Sequence, residues 1–325
     1  MDNFDKNLEK MNTENSEFDG ENSKFDNENF RKKSVNLENK NSERIVTLAK
    51  TAGFCFGVER AVKICHSQEG ENKHVYTLGP IIHNEAVVDD LRKRGIDVVN
   101  SADEVEDPEN TTVIIRSHGV PKSELDALEA KNIKVVSATC PFVSKIHNIA
   151  KKAYENGDLL VIIGSREHPE VQGINGWYEN QAIIIENEDE AKMFKAPTDK
   201  HVVVVAQTTF NYRKFKYIVE ILKKICYNTK VMNTICNATE ERQSEAREIA
   251  KKSEAMLVIG GRHSSNTQKL YEICKSECEN TFFIQTLDDL GLVELESFRS
   301  VGITAGASTP NNIIKEVQSY VSREQ

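Results

Sequence analysis

The stretch Ile133-Lys-Val-Val-Ser-Ala-Thr-Cys140 is a β-branched strand pattern followed by a short turn that ends on a cysteine. The same order occurs in Ile45-Val-Thr-Leu-Ala-Lys-Thr-Ala-Gly-Phe-Cys55 and in Lys230-Val-Met-Asn-Thr-Ile-Cys236. After each cysteine the sequence continues with apolar residues at helical spacing, as in Asn237-Ala-Thr-Glu-Glu-Arg-Gln-Ser-Glu-Ala-Arg-Glu-Ile-Ala. Three segments with one pattern predict three related structural units.

A second strand pattern follows in every unit and ends on a glycine 24 residues after the cysteine, namely Gly79, Gly164 and Gly260. A third apolar run closes each unit, as in Val202-Val-Val-Val-Ala206. Because these runs are almost continuously apolar, we expect strands covered by helices on both faces, in parallel or mixed sheets. The predicted fold class is α/β, with three similar α/β domains in a pseudo-threefold arrangement.

The predicted domain boundaries follow from this repeat. Domain 1 spans residues 45–139, domain 2 spans 140–235, and domain 3 spans 236–325 with the C-terminal segment. Residues 1–44 are crowded with Asn, Glu, Asp and Lys and contain near-repeats such as Asn15-Ser-Glu-Phe-Asp. Such a segment buries too little apolar surface to offset its chain entropy, so a disordered N-terminal extension without an assigned function is expected.

The bulk composition limits the partners and the compartment. The net charge is -9 at pH 7, and no run of Lys and Arg suggests a nucleic-acid or membrane partner. No stretch approaches the ~18 consecutive apolar residues of a membrane helix, and the N-terminus lacks the pattern of a signal peptide. Seven irregularly spaced cysteines argue against a secreted disulfide framework. A cytoplasmic protein with reduced thiols is expected.

Three of the cysteines are candidate metal ligands. In open α/β sheets, ligands bind beyond the carboxyl ends of the strands, so a pseudo-threefold arrangement brings Cys55, Cys140 and Cys236 to one cavity. Iron-sulfur clusters take thiolate ligands, usually four, and three would leave one iron open as a Lewis acid. The other four cysteines fit core or helix-face positions, and a zinc site is disfavoured because they lack paired knuckles: Cys65, Cys226, Cys274 and Cys278.

A second group of polar residues also falls at the strand ends: His83, His118, Ser264, Ser265, Asn266 and Ser308. Hydroxyls, an amide and imidazoles at helix N-termini suit a phosphate or a diphosphate, since the helix dipoles add favourable potential. The alternative for each histidine alone is a loop cap that satisfies local backbone groups. The combination of the histidines with the serines and Asn266 favours an anion site.

Glu170 is the candidate proton donor. It lies two residues after His168, in a segment that the repeat places beside the three cysteines. A carboxyl in a closed, partly desolvated site has a raised pKa and can deliver protons near neutral pH. The alternative is a carboxylate that only stabilises a helix start. Thr208 either orients a substrate hydroxyl or serves as an N-cap.

These motifs, taken in order, resemble the LytB family of 4-hydroxy-3-methylbut-2-enyl diphosphate reductases from about residue 45 to the C-terminus. The matching segments are Gly53-Phe-Cys55-Phe-Gly-Val, Gly79-Pro-Ile-Ile-His83-Asn, Arg116-Ser-His118-Gly-Val, Ala138-Thr-Cys140-Pro-Phe-Val, His168-Pro-Glu170-Val, Gln207-Thr208-Thr209, Ile235-Cys236-Asn-Ala-Thr, Ser264-Ser265-Asn266 and Thr304-Ala-Gly-Ala-Ser308. Each segment alone is weak evidence, whereas their combined order is specific.

The resemblance implies one 4Fe-4S cluster per subunit, held by Cys55, Cys140 and Cys236. It implies that the substrate diphosphate is bound by the strand-end group His83, His118, Ser264, Ser265, Asn266 and Ser308. His168, Thr208 and Glu170 would surround the substrate hydroxyl. The implied reaction is the reductive dehydroxylation that yields isopentenyl and dimethylallyl diphosphate in the non-mevalonate pathway, with ferredoxin or flavodoxin as the electron donor.

Two other classes remain open at this point. A quinolinate-synthase-like dehydratase would also use three related domains and a three-cysteine cluster, but it would bind a dicarboxylate rather than a diphosphate. A non-catalytic iron-sulfur or phosphate-binding protein would leave Glu170 without a role.

Overall fold

The structure is a computed structural model that describes residues 44–70, 74–197, 200–292 and 295–323. The predicted disordered extension, residues 1–44, therefore lies outside the described residues except for its last one. Twelve strands are described: β1 Ile45–Leu48, β2 His74–Leu78, β3 Ile96–Val99, β4 Thr111–Ile115, β5 Lys134–Ser137, β6 Leu159–Ile163, β7 Ile183–Ile185, β8 Val202–Ala206, β9 Thr229–Val231, β10 Ala255–Ile259, β11 Thr281–Ile284 and β12 Ser300–Ala305.

The strands form three sheets of four, and all pairings are parallel. The orders are β3-β2-β4-β5, β7-β6-β8-β9 and β11-β10-β12-β1. The three sheets thus share one topology. In each sheet, the strand that ends just before Gly79, Gly164 or Gly260 pairs with the third strand of its unit. The prediction of three similar α/β units is confirmed.

One feature of the sheets differs from the sequence-based grouping of the repeat. The strand before Cys140 is an outer strand of the first sheet, and the strand before Cys236 is an outer strand of the second, rather than the first strand of the next unit. For the third sheet this outer strand is β1, which pairs with β12 from Ile45 opposite Ser300 to Leu48 opposite Ile303. The N-terminal strand therefore completes the sheet of the C-terminal unit. The boundaries at 139/140 and 235/236 stay predictions.

The central strands are apolar because both faces of each sheet are covered. In the second sheet, Val161 and Ile163 pack into one cluster, whereas Leu160 and Ile162 pack into another on the opposite face. The other two sheets also contribute to two clusters each. Every residue of β4, β8 and β10 is buried. This burial explains why these strands have continuous apolar runs instead of alternation.

Ten α-helices are described: α1 Phe56–His66, α2 Glu85–Lys93, α3 Lys122–Ala130, α4 Pro141–Asn156, α5 Pro169–Gly176, α6 Glu188–Met193, α7 Tyr212–Ile225, α8 Asn237–Ala250, α9 Ser265–Glu277 and α10 Asn311–Arg323. Helices α1, α4 and α8 each lead from the outer strand of one sheet to the first strand of the next. None of the described helices has the length and apolar content needed to cross a membrane.

Candidate active site

Cys55, Cys140 and Cys236 occupy equivalent positions, each immediately before one of the connecting helices. The backbone N–H of each donates to a carbonyl in the loop after the third strand of a unit. The three bonds are Cys55 N to Ala307 O (3.3 Å), Cys140 N to Ser117 O (2.9 Å) and Cys236 N to Thr208 O (3.1 Å). The repeat therefore fixes the three cysteines by one backbone device.

One cavity, with about 770 Å³ of empty space that includes open solvent, lies beside these helix starts. The structure brings all of the predicted site residues into its lining: Cys55, His83, His118, Cys140, His168, Glu170, Thr208, Cys236, Ser264, Ser265, Asn266 and Ser308. The four remaining cysteines are buried, as expected for core residues: Cys65, Cys226, Cys274 and Cys278.

The topology explains how residues so far apart in sequence meet. In each sheet, the connections run in opposite directions from the two central strands, and ligands bind in the crevice between such strands. The loops after β2 and β4 carry His83 and His118, those after β6 and β8 carry His168 and Thr208, and those after β10 and β12 carry the serine-rich segments. Ser264 lies 28 residues after Cys236 and thus takes the position that the two histidines hold after their own cysteines.

The three thiols fit a metal cluster. All three cysteines are free thiols. A Cβ added at Gly57 would lie 2.6 Å from the Cys140 Sγ and 4.0 Å from the Cys55 Sγ, so the glycine keeps space open between two units. The wall beside the thiols is apolar, with Val58, Phe142 and Val143.

Electrostatics at the thiols also favours a cationic ligand. Burial raises the pKa of the Cys140 and Cys236 thiols, although backbone N–H groups at their helix starts oppose the shift. Ionised thiolates therefore need a further positive charge, which iron ions would supply. Within the described residues, the group whose ligand atoms all lie within 4.8 Å of one another is formed by histidines rather than by these thiols. Three thiols that come from three separate connections between sheets suit an iron-sulfur cluster.

We predict that Gly57→Ala weakens cluster retention. The added methyl group would meet the Cys140 sulfur at 2.6 Å, and overpacking of a tight site costs about 1–3 kcal/mol. That cost corresponds to about a 5- to 160-fold loss of affinity. Iron per chain after gel filtration is the measurement. Gly291→Ala is the matched control because a Cβ there meets no atom within 4 Å; equal iron in both variants would contradict the prediction.

Three histidines, His83, His118 and His168, form a second cluster in the cavity. Their ring centroids are 4.7 Å (83–118), 5.9 Å (83–168) and 5.5 Å (118–168) apart. Burial lowers the pKa of all three histidines, to about 3 for His168. Repulsion by the nearby Arg116 charge lowers these pKa values further. All three imidazoles are therefore neutral at pH 7 and each can donate one hydrogen bond.

The histidine cluster could hold either a metal ion or an anion, and its surroundings favour the anion. The Arg116 guanidinium acts electrostatically on all three rings. The N-termini of α5 and α9 also meet the cavity, at His168 and Ser264, and add positive potential. A dication would be repelled by these groups, whereas a phosphate would be attracted.

Several buried polar atoms in the cavity have no hydrogen-bond partner among the described residues. They include His83 Nε2, His118 Nδ1 and Asn266 Nδ2. Buried polar atoms without partners are costly, so their presence along this wall of the cavity indicates that a ligand supplies the missing partners. Ser308 Oγ is near by and donates to the His83 carbonyl at 3.2 Å. The wall fits an anion with several oxygens.

Glu170 and Thr208 form a closed pair next to His168. The Thr208 backbone N–H donates to Glu170 Oε1 at 2.6 Å, and the Thr208 hydroxyl donates to Oε2 at 2.7 Å. The Glu170 N–H donates to His168 Nδ1 at 3.1 Å, which makes that nitrogen an acceptor. Burial raises the pKa of Glu170 from 4.5 to about 7, although the two bonds from Thr208 lower it. This carboxyl can therefore hold or release a proton near neutral pH.

Some residues in or beside the cavity were not singled out from the sequence. Gln207 Nε2 donates to Thr209 Oγ1 at 2.8 Å and to Ser265 Oγ at 3.1 Å, so it joins two units. Gln207 and Thr209 belong to a quoted motif, but only Thr208 received a role. Arg242 also lines the cavity. Its position six residues after Cys236 was the available signal, although the first two units have no arginine at that spacing.

His147, on α4, supports the site from behind. Its ring stacks on Trp177 at 5.4 Å between centroids. A Cβ at Gly119 would lie 2.4 Å from His147 Cε1, and Gly119 has a φ of +71°, so a glycine is required for both reasons. The histidine thus packs under the loop that carries His118, next to the helix that carries Glu170.

We predict that His147 makes stability depend on pH. Burial lowers its pKa from 6.5 to about 4, so the unfolded chain binds more protons between these values. This contribution to stability is complete above about pH 6.5 and is lost as the pH falls toward 4, by about 3 kcal/mol. His147→Phe should weaken the pH dependence of the free energy of unfolding by that amount, and His201→Phe, at an exposed residue, should not. Parallel curves for the wild type and His147→Phe would refute this.

Together, the fold and cavity define a class: an α/β protein with three free thiols, a wall of unpartnered polar atoms and a titratable carboxyl in one cavity. Comparison with known proteins narrows the class. Residues 46–322 match the LytB protein family. The chain belongs to this family.

Named relatives agree with the assignment. The protein named 4-hydroxy-3-methylbut-2-enyl diphosphate reductase in Thermoanaerobacter sp. (strain X514) is 43% identical to this chain over 274 residues. The match covers 84% of this chain and 94% of the relative. The counterpart in Alkaliphilus oremlandii (strain OhILAs) shares 45% over 275 residues, with 84% and 97% covered.

Two solved structures are also similar. The E-1-hydroxy-2-methyl-but-2-enyl-4-diphosphate reductase from Plasmodium falciparum has a TM-score of 0.83 and 26% identity, covering 87% of this chain and 89% of that one. A second structure, described as (E)-4-hydroxy-3-methyl-but-2-enyl diphosphate reductase, the terminal enzyme of the non-mevalonate pathway, has a TM-score of 0.61 and 39% identity, with 86% and 99% covered.

Proposed function

We propose that this chain reduces 4-hydroxy-3-methylbut-2-enyl diphosphate to isopentenyl and dimethylallyl diphosphate. The observation that carries the proposal is the convergence, in one cavity, of three free thiols, a buried carboxyl with a pKa of about 7 and a wall of unpartnered hydrogen-bond donors. These are the parts that a reductive dehydroxylation of an anionic substrate needs. The family name and the names of the relatives agree with it.

Cys55, Cys140 and Cys236 would hold one 4Fe-4S cluster per subunit. When bound, the cluster supplies electrons and a Lewis-acidic iron. The Gly57 gap and the apolar wall fit such a group. We further propose ferredoxin or flavodoxin as the source of the two electrons.

The substrate diphosphate would bind to the wall of donors. His83, His118 and Asn266 offer nitrogen atoms that lack partners within the described protein, and Ser264, Ser265 and Ser308 offer hydroxyls beside them. The start of α9 adds its backbone N–H groups and dipole. Because His83 and His118 are neutral, they would recognise the phosphate oxygens by hydrogen bonds, and Arg116 would contribute long-range attraction.

The substrate hydroxyl would lie beside His168, Thr208 and Glu170. The reaction breaks the allylic C–O bond, consumes two electrons and two protons, and releases water. Glu170 in its protonated form would donate a proton to the departing oxygen, and Thr208, bonded to both carboxyl oxygens, would keep the carboxyl in position. The second proton forms a C–H bond at either end of the allylic system, which gives the two products.

The test uses the full chain after anaerobic cluster reconstitution, with reduced methyl viologen and the hydroxylated allylic diphosphate. We expect two viologen radicals to be oxidised per product formed, and both diphosphate products on chromatography. A matched reaction with the corresponding monophosphate should be much slower because the donor wall is then only partly used. A cluster-loaded protein that leaves the diphosphate unchanged would overturn the proposal.

A further inference from the structure

Arg242 is a buried cation next to the three-cysteine site. It lies on α8, is 3% exposed, and lines the same cavity as Cys55 and Cys236. Its Nη1 donates to the Ala305 carbonyl at 2.6 Å. Ala305 ends β12, two residues before the carbonyl that accepts from the Cys55 N–H. The guanidinium is thus held between the cysteine of its own helix and the loop of the first cysteine.

The described residues give Arg242 no carboxylate within ion-pair distance. Glu245, one turn further along α8, acts on it only at longer range. That carboxylate is instead occupied by the Lys50 N–H, the Thr51 N–H and the Thr51 hydroxyl, at 2.9, 2.9 and 2.6 Å. Arg242 therefore differs from Arg247 on the same helix, which pairs with Glu277.

A buried guanidinium without an anionic partner is costly, and proteins retain one where a negative group faces it. The thiolates of Cys55 and Cys236 are the candidates for this negative group, because they are among the charges that act on Arg242. Three thiolates and a 4Fe-4S core carry a net negative charge that increases by one on reduction. A fixed cation beside them stabilises the reduced form more than the oxidised form.

We propose that Arg242 is the counter-charge of the cluster and raises its reduction potential, so that a protein donor can reduce it. This inference rests on the proposed function, because it requires the cluster at the three cysteines. Arg242 is a positioning residue in this account: it acts through the cluster and takes no part in binding the diphosphate.

The test is a potentiometric titration of the reconstituted full chain, followed by electron paramagnetic resonance. For Arg242→Met we expect the ratio of oxidised to reduced cluster at a fixed potential to rise about tenfold, which is about 59 mV for one electron. Arg242→Lys keeps the charge and should shift the ratio much less. Arg247→Met is the matched control: it breaks an ion pair on the same helix, so it can lower stability, but it should leave the potential unchanged.

The outcomes separate the inference from the proposed function. A wild-type chain that binds no iron or sulfide refutes the proposed function itself. A fully loaded Arg242→Met variant with the wild-type potential refutes only the role of Arg242. If Arg242→Met cannot hold the cluster, a cluster retained by Arg242→Lys supports the role of the charge. Loss of the cluster from both variants overturns that role and indicates a packing role instead.

Discussion

Replacing any one of Cys55, Cys140 and Cys236 with serine is expected to abolish the cluster and all turnover. The three residues come from three different connections between sheets, so no neighbouring cysteine can replace a missing ligand. A serine hydroxyl stays protonated at neutral pH and is a poor ligand for iron, whereas a thiolate binds it strongly. The measurements are iron and acid-labile sulfide per chain, with far-ultraviolet circular dichroism to verify folding.

Cys274→Ala is the matched control for these variants. Cys274 is fully buried on α9, and burial raises the pKa of its thiol to about 12, so it is an inert core residue. This variant should lose some stability but keep its iron. A full iron load in Cys140→Ser, or an iron loss in Cys274→Ala as large as in the serine variants, would contradict the assignment of ligands.

The second large effect is expected for Glu170→Gln, which should keep the cluster and substrate affinity but lower kcat by about 10²–10⁴-fold. Glutamine has nearly the same shape and can still bond the Thr208 N–H and hydroxyl, but it cannot give up a proton as an acid. Burial holds the pKa of Glu170 near 7, so a wild-type rate that depends on the protonated acid falls as the pH rises above about 7. The variant should lack this decline.

Glu167→Gln is the control for the acid. Glu167 lies three residues earlier in the same segment, is exposed, and does not line the cavity. The Glu167→Gln variant should have the same kcat as the wild type. Steady-state kinetics from pH 6 to 9, with cluster content measured on each sample, distinguishes the two positions. A near-normal kcat for Glu170→Gln would remove Glu170 from the mechanism.

Local sequence was sufficient to predict the positions that the cavity brings together. The equal 24-residue distance from cysteine to glycine marks a strand and its loop, and the parallel topology sends every such loop to one edge. His83 and His168 could be found because they follow their cysteines at one spacing. The strand-end location of the residues was therefore readable from repetition alone.

Other features depend on long-range packing and could not be predicted in this way. The pairing of β1 with β12 joins segments about 250 residues apart, and the outer strand of any sheet has no local signal for its partner. The pKa of Glu170 follows from its complete burial, which is a property of the assembled units. Arg242 has no counterpart at the same spacing in the other two units, so repetition did not reveal it.

The most direct test of the central claim is a Mössbauer spectrum of the full chain reconstituted with ⁵⁷Fe and sulfide under anaerobic conditions. Three thiolate ligands on a four-iron cluster predict two kinds of iron in a ratio of three to one, with the signal of the single iron altered by the hydroxylated allylic diphosphate. A spectrum with four equivalent irons that the substrate leaves unchanged, or a protein that binds no cluster, would contradict the account.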